Sequence, residues 1–228
     1  MDTVKEIIFD YWTTWAPRFD GGASHVRHRD EWQAVFAAAV PCPPRRKALD
    51  LGTGTGACAL AFARIGHEVT GLDGAEGMLA EARRAAVAEG LSIDFRRGEL
   101  EEPPFADASF DLVAARNVFW TLPDPDRALR AIRRVLRPGG VFLFSDGMWR
   151  TDDVPPAAST HDMTDYVQLR DRLPFYRGLW IDDARRLLSA HGFGPPAEWQ
   201  HLFAQHPYAQ AASGACPFFV LTAVRRAD

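Results

Sequence analysis

The chain has 228 residues, 47% of them hydrophobic and 25% charged, which is enough for one large domain with a buried core and argues against disorder. Its formal net charge of −4 argues against a general nucleic-acid binder, which needs a basic face. The three cysteines form no C-x-x-C pair and no metal-ligand spacing. The chain carries no signal peptide and no apolar run that approaches a membrane span. We therefore expect a cytoplasmic protein that binds no metal ion, nucleic acid or membrane.

The first part of the chain, residues 1–44, predicts a helical cap. Apolar and aromatic side chains recur at helical spacing from Val4 to Trp15, and Pro17 interrupts that run. Residues 31–40 predict a second helix. This cap precedes the first strand by more residues than a dinucleotide fold usually has there.

Residues 45–146 alternate between strand and helix patterns, which predicts a parallel sheet with right-handed crossovers. Asp124 and the proline after it mark a helix start, because aspartate caps a helix and proline fits its first turn. The predicted strands are 48–51, 68–72, 91–96, 110–115 and 141–145, and the predicted helices include 57–65 and 75–89.

The rhythm changes after the fifth predicted strand. Residues 147–178 show little periodicity and are longer than an ordinary connection, so we predict a segment that covers the substrate. Residues 179–228 predict a helix over 179–191, followed by strands over 198–203 and 217–225.

Three alternating glycines, Gly52, Gly54 and Gly56, follow the first predicted strand directly. Glycine lets a loop backbone approach a ligand closely, and the next helix turns its free N–H groups to the same place. Asp73 ends the following strand, where a carboxylate can hold a ribose. The loop alone fits either a nucleoside cofactor or a dinucleotide, since Gly52, Gly54 and Ala57 also satisfy G-x-G-x-x-A.

Four segments together resemble the class I S-adenosylmethionine (SAM)-dependent methyltransferases, especially the group acting on small molecules. They occur in order and at normal spacing, at 49–56 (LDLGTGTG), 69–79 (VTGLDGAEGML), 98–111 (GELEEPPFADASFD) and 136–140 (LRPGG). The resemblance implies a single methyltransferase domain over 1–228, with an α/β Rossmann-like, doubly wound sheet of seven strands. The last strand of such a sheet is antiparallel.

The resemblance also implies a cofactor site. In it, Asp50 holds the amino group of SAM through water, Asp73 accepts from both ribose hydroxyls, and Glu99 lies at the adenine edge. The family usually has Asp-Ala where this chain has Glu99-Leu100. The implied positions are Tyr11, Asp50, Gly52, Thr53, Gly54, Asp73, Gly74, Met78, Glu99, Leu100, Arg116 and Asn117, with the last two under the sulfonium.

Methyl transfer needs an aligned acceptor, exclusion of water and, for some acceptors, a base. The candidate bases are His161 in the covering segment, Asp146 at the end of the fifth strand, and His28 in the cap. The pair His25 and His28 is expected to be chance rather than a metal site.

Aromatic residues indicate the substrate class. Trp12, Trp15, Trp120 and Trp149 are predicted to line the acceptor pocket, where they favour a flat or apolar small molecule. The prediction is N- or O-methylation of a small planar metabolite, with carbon methylation as a near variant. The alternatives are an RNA or protein methyltransferase of this fold, an NAD-dependent oxidoreductase, and a non-catalytic SAM-binding protein. The sequence leaves the oligomeric state open.

Overall fold

The computed structural model describes residues 3–42, 44–149, 167–210, 214–215 and 217–227. Within them the α-helices are α1 (Val4–Phe19), α2 (Ser24–Arg27), α3 (Arg29–Ala39), α4 (Ala57–Ile65), α5 (Glu76–Ala88), α6 (Pro125–Val135) and α7 (Ile181–Ala190). Short 3-10 turns cover Asp20–Gly22, Phe119–Thr121, Arg170–Arg172 and Gln200–Leu202. In the described part of the chain, no helix is long and apolar enough to cross a bilayer.

The strands form a seven-stranded sheet with the order β3-β2-β1-β4-β5-β9-β6. Strands β1 to β5 pair in parallel, whereas β9 pairs antiparallel with both of its neighbours. This confirms the predicted fold class. The strands are β1 (Lys47–Leu51), β2 (Glu68–Asp73), β3 (Asp94–Arg97), β4 (Phe110–Arg116), β5 (Leu136–Gly147), β6 (Ala197–Glu198) and β9 (Phe218–Val224), and β7 (Ala209–Gln210) pairs separately with β8 (Gly214–Ala215).

The sheet has its switch point between β1 and β4. From β1 the chain builds outward through β2 and β3, and then returns to the other side of β1 with β4. Ligands bind at the carboxyl ends of strands beside such a point, because the connecting loops diverge there. The glycine loop after β1, Asp73 in β2 and Arg116 in β4 are all brought to this edge.

Helices cover both faces of the sheet. Along β4, Leu112 and Ala114 face the cluster built with α3 and α4, while Val113 and Ala115 face the cluster built with α6 and α7. All four side chains are fully buried. Central parallel strands are apolar on both faces for this reason.

The cap helix α1 packs closely on the start of α5. A Cβ atom at Gly77 would lie 2.5 Å from the backbone oxygen of Thr13, so glycine permits this approach. Pro17 lies inside α1, which continues to Phe19. The predicted break at Pro17 is therefore displaced by two residues, because proline removes one backbone donor without ending a helix at once.

Several predicted bounds are wrong. Of the predicted strand 198–203 only Glu198 lies in a strand, β6, because the chain enters the turn Gln200–Leu202 one residue later. Strand β3 begins at Asp94 rather than at 91, and β5 begins at Leu136. In β5 the pairing register with β4 shifts beside the Pro-Gly-Gly sequence. Alternating apolar residues do not distinguish a short strand from a turn at the sheet margin.

Candidate active site

A cavity of about 280 Å³ opens at the switch point, between the sheet loops and the helical cap. The glycine loop, the ends of β2 and β4, α1 and the loop before β7 all contribute to its wall. Its lining residues include Lys5, Phe9, Trp12, His25, Gly52, Thr53, Gly54, Thr55, Asp73, Gly74, Met78, Leu100, Glu101, Arg116, Asn117, Leu122 and Tyr208.

The glycine loop is fixed from below by Asp50. Its buried carboxylate accepts hydrogen bonds from the Thr53 hydroxyl at 2.7 Å and from the Ala59 backbone N–H at 3.0 Å. Burial raises the pKa of Asp50 to about 7. Asp50 thus lies under the loop, and it is not among the residues that line the cavity.

The two first glycines of the loop have different surroundings. Both have positive φ, +65° at Gly52 and +54° at Gly54. A Cβ at Gly52 would lie 2.5 Å from Val118, whereas a Cβ at Gly54 would meet open space. Gly52 therefore serves packing against the end of β4, and Gly54 leaves the backbone accessible to a ligand.

Asp73 connects the glycine loop to the start of α5. One carboxylate oxygen accepts from the Gly54 N–H at 2.8 Å and the other from the Ala75 N–H at 2.9 Å. Burial raises the pKa of Asp73, and these backbone donors act against that shift. Each oxygen keeps a second lone pair, so the carboxylate can also accept from a diol such as the ribose of the expected cofactor.

The region next to Asp73 differs from the prediction at one position. Leu100 and Glu101 line the cavity, whereas Glu99 does not. The Lys5 ammonium contacts Glu99 at 2.5 Å and Glu101 at 3.0 Å. Glu101 keeps its other oxygen, Oε1, buried and without a hydrogen-bond partner. An acceptor for an N–H donor is therefore present beside the adenine side of the expected site, on Glu101.

Gly74 and Met78 also line the cavity. A Cβ at Gly74 would lie 2.1 Å from the ring of Phe9, so the ring lies directly on this glycine. The cap thereby closes over the end of β2. Glycine geometry, an acidic residue at β2 and an unmet acceptor at Glu101 together fit a cofactor with a ribose and an amino-bearing ring.

Arg116 and Asn117 end β4 and bind the same hydroxyl group. Arg116 Nη2 donates to Tyr208 Oη at 3.1 Å, and Asn117 Nδ2 donates to it at 3.0 Å. The Arg116 guanidinium stacks on the Trp32 ring, 4.3 Å from its centroid. Asn117 has a φ of +54°, and its backbone N–H donates to Ser145 of β5 at 2.8 Å. Tyr208 thus joins the loop before β7 to the end of β4.

His25 reaches the cavity from α2. Its Nε2 lies 3.0 Å from an Asp20 oxygen, which also accepts from the Thr55 hydroxyl at 2.8 Å. Burial lowers the pKa of His25, and the positive charge of Arg116 lowers it further, while Asp20 opposes both effects. The imidazole is therefore mostly neutral at neutral pH and oriented by a carboxylate.

Two of the three candidate bases, Asp146 and His28, lie away from the cavity wall. Asp146 is fully buried and accepts from the N–H groups of Phe119, Gly147 and Trp149 at 3.1, 2.9 and 2.7 Å. His28 lies beside Glu31, with Nδ1 3.4 Å from its carboxylate, and does not line the cavity. His161 lies outside the described residues. Asp146 and His28 are thus not among the residues that line the cavity.

The predicted aromatic residues divide into two groups. Trp12 lines the cavity, with its ring 5.8 Å from that of Trp120. Tyr11, Trp15, Trp120 and Trp149 pack instead in an apolar cluster between α1 and the segments after β4 and β5. In that cluster they hold the cap on the sheet edge behind the cavity wall.

Four residues that line the cavity are not predicted by the sequence: Phe9, His25, Glu101 and Tyr208. Glu101 is two residues from the predicted position, so its acidic neighbourhood was a usable signal. In the sequence, His25 stands out only through its spacing to His28, which we interpret as chance. No group of metal-binding side chains occurs among the described residues. Tyr208 carries no local signal, because its position depends on how the chain returns to β9.

Comparisons with known proteins identify the family. A sequence profile described as a methyltransferase domain matches residues 49–144. Demethylmenaquinone methyltransferase from Thermus thermophilus is 37% identical over 174 residues, which are 72% of this chain and 74% of that protein. Ubiquinone biosynthesis O-methyltransferase from Hahella chejuensis is 38% identical over 103 residues, 45% of this chain and 43% of that protein, so the match spans less than half of that relative.

A solved structure of the same architecture covers the whole chain. The crystal structure of the cyclase SpnF superposes with a TM-score of 0.71 at 22% identity, over 100% of this chain and 98% of that one. At this identity the likeness concerns the fold. A shared fold does not fix the reaction, which has to be argued from the site.

Proposed function

This chain belongs to the class I SAM-dependent methyltransferases, and we propose that it methylates a nitrogen or oxygen atom of a small, planar metabolite. The proposal extends the family assignment to an acceptor class. The small size of the cavity, its aromatic wall and the names of the relatives support it in that order.

The observation that carries the cofactor side is the placement of Asp73. Its carboxylate is held by the backbone N–H groups of Gly54 and Ala75 on the rim of the cavity, with lone pairs left for a diol. The open space at Gly54 lies beside it. A ribose needs a fixed pair of acceptors next to an accessible backbone, and this arrangement supplies both.

The acceptor side of the cavity is small and has an aromatic wall. The wall carries Phe9, Trp12, Phe19 and Tyr208 around a cavity of about 280 Å³, which suits a small molecule better than a polymer. Two relatives have names that refer to ubiquinone biosynthesis and to demethylmenaquinone. We extend this to our chain only as a class: a hydroxylated or amino-substituted ring.

SAM supplies an electrophilic methyl group when bound, so the protein contributes binding, alignment and proton management. Trp12 and the cap cover the cavity and exclude water from it. His25 is oriented by Asp20, and its position on the wall suits removal of a proton from an acceptor hydroxyl or amine. Asp146, His28 and His161 stay candidates for the same task.

Calorimetric titration with S-adenosylhomocysteine, the product of methyl transfer, tests the cofactor assignment. We expect binding to the wild-type protein and a roughly 10- to 100-fold weaker affinity for Asp73→Asn, because hydrogen bonds to a charged group are lost. Glu68→Gln, at the exposed start of β2, is the matched control and retains full affinity. Binding of NADH in place of S-adenosylhomocysteine would contradict the proposal.

A methyl-transfer screen tests the acceptor class. Purified protein is incubated with SAM and with sets of phenols, catechols, hydroquinones and aromatic amines, and the S-adenosylhomocysteine formed is quantified by mass spectrometry. Turnover within these sets supports the proposal. Turnover confined to RNA or protein, or rearrangement without methyl transfer as for a cyclase, would replace it.

A further inference from the structure

Arg116 is a half-buried cation without an ion-pair partner among the described residues. Its guanidinium is held between the Trp32 ring, 4.3 Å from Cζ, and the Tyr208 hydroxyl, 3.1 Å from Nη2. No carboxylate of the described ranges forms an ion pair with it. A buried charge normally has a partner, because desolvation of an unpaired ion costs several kcal/mol.

The hydrogen bonds of Arg116 are also incomplete. Arginine has five N–H donors, and its Nε–H is buried here without an acceptor. Tyr208 is the only hydrogen-bonded side chain that the described part of the chain offers it. Arg116 lines the cavity, so a ligand can supply what the protein does not.

The nearby carboxyl groups of Asp50 and Asp146 act on Arg116 through charge alone. Burial raises the pKa of Asp50 and of Asp146 to about 7, so each is partly neutral near physiological pH. Both are already occupied by other donors, Asp50 by Thr53 and Ala59 and Asp146 by three N–H groups. Both attract the guanidinium electrostatically, but neither forms a hydrogen bond or an ion pair with it among the described residues.

The cavity is electrically polarised along its wall. In the strand order β3-β2-β1-β4, Asp73 ends β2 and Glu101 follows β3 on one side of β1, whereas Arg116 ends β4 on the other side. The N-terminus of α4 at Ala57 also lines the cavity and adds positive potential to it. A ligand with donors at one end and an anionic group at the other matches this distribution.

We propose that Arg116 is a carboxylate-binding residue of the cavity. A planar guanidinium with free N–H groups matches a carboxylate in geometry and in charge. The carboxylate comes either from the amino-acid end of the cofactor or from the acceptor. The first source rests on the proposed function, whereas the second does not depend on which cofactor binds.

Calorimetry with paired ligands tests the first source. Wild type, Arg116→Gln and Arg116→Lys are titrated with S-adenosylhomocysteine, with its carboxamide, and with methylthioadenosine, which lacks the amino-acid end. If the cofactor supplies the carboxylate, Arg116→Gln weakens S-adenosylhomocysteine roughly 10- to 100-fold and leaves methylthioadenosine unchanged. Arg116→Lys keeps part of the affinity for S-adenosylhomocysteine. The affinity of wild type for the carboxamide is about as low as the affinity of Arg116→Gln for S-adenosylhomocysteine.

A second ligand pair tests the other source. The same proteins are titrated with 4-hydroxybenzoate and with neutral 4-hydroxybenzamide. A preference of wild type for the benzoate that Arg116→Gln abolishes, with unchanged S-adenosylhomocysteine affinity, assigns the carboxylate to the acceptor. The carboxamide and benzamide comparisons use wild-type protein, so they remain decisive if Arg116→Gln does not fold.

The outcomes separate the two proposals. If wild type distinguishes neither S-adenosylhomocysteine from its carboxamide nor the benzoate from the benzamide, the role of Arg116 is overturned. The same holds if folded Arg116→Gln, with wild-type circular dichroism, binds every acid as wild type does. If wild type binds NADH but no adenosyl ligand, the proposed function fails while the benzoate comparison still decides the role of Arg116.

Discussion

The two halves of the cavity are built in different ways. The sheet half consists of the glycine loop and Asp73, where neighbours in sequence make the essential contacts, such as Thr53 to Asp50 and Ala75 to Asp73. The cap half, by which we mean α1, α2 and the loop that carries Tyr208, depends on side chains far apart in the chain. Tyr208 meets Asn117 over 91 positions, and Lys5 meets Glu99 over 94.

This difference separates what is fixed by local geometry from what is fixed by packing. We expect changes in the sheet half to act on the stability of the loop and on cofactor binding. Changes in the cap half act on how α1 sits over the cavity, and they can be compensated by a partner residue. The predictions below test this division from the largest expected effect to the smallest.

The largest effect is expected for Gly52→Ala. Its new Cβ would lie 2.5 Å from Val118 at a φ of +65°, so strain and overpacking together lower the free energy of unfolding by about 2–4 kcal/mol. Gly54→Ala is the matched control, since only the strain of its φ of +54° applies, about 1–2 kcal/mol. Urea unfolding measures both, and equal losses would count against distinct roles for the two glycines.

A cap substitution with a compensating partner comes next. Gly74→Ala places a Cβ 2.1 Å from the Phe9 ring, and we expect a loss of about 1–3 kcal/mol from overpacking. In the double variant with Phe9→Ala the clash is absent, so the two losses are less than additive by about 1 kcal/mol. Thermal and urea unfolding of all four proteins test this, and strict additivity would show that α1 does not bear on β2 there.

The buried carboxyl groups predict a pH dependence of stability. Because the pKa of Asp146 in the folded protein is raised to about 7, the folded state binds its proton more tightly than the unfolded state does. Stability from this group is complete below a pH of about 4 and falls as the pH rises towards 7. Between pH 5 and 7 we expect the free energy of unfolding to fall by roughly 1–2 kcal/mol less in Asp146→Asn than in wild type.

Asp50 acts in the same direction, whereas His25 acts in the opposite one. The lowered pKa of His25 stabilises the folded state at higher pH. This contribution to the free energy of unfolding is lost as the pH falls below the ordinary histidine value of about 6.5. The comparison of wild type with Asp146→Asn cancels these contributions. The raised pKa of Asp146 would be contradicted if the free energies of unfolding of the two proteins changed by the same amount from pH 5 to 7.

The smallest effect is expected where the cap meets solvent. Glu99 is 45% exposed, so Glu99→Gln changes the free energy of unfolding by less than about 1 kcal/mol. We expect it to change S-adenosylhomocysteine affinity by no more than about threefold, because Glu99 does not line the cavity. A large loss of affinity in Glu99→Gln would restore Glu99 as a cofactor contact in place of Glu101.

The sheet half of the cavity is easier to predict from the sequence than the cap half, because its contacts are local. Glycines with positive φ, an acidic strand end and the helix start at Asp124 are local features, and the strand order follows from alternating elements. Helix α4 has the predicted bounds, Ala57–Ile65. Tyr208, His25 and the ring of Phe9 reach the cavity only through tertiary packing, which no local pattern encodes.

The crystal structure of the protein with S-adenosylhomocysteine is the most direct test of the central claim, that the switch-point cavity is the cofactor site. We predict both ribose hydroxyls within hydrogen-bond distance of the Asp73 carboxylate, with the chain of the amino acid running past Gly54. Density for the ligand outside this cavity, or a ribose bound away from Asp73, would contradict the account.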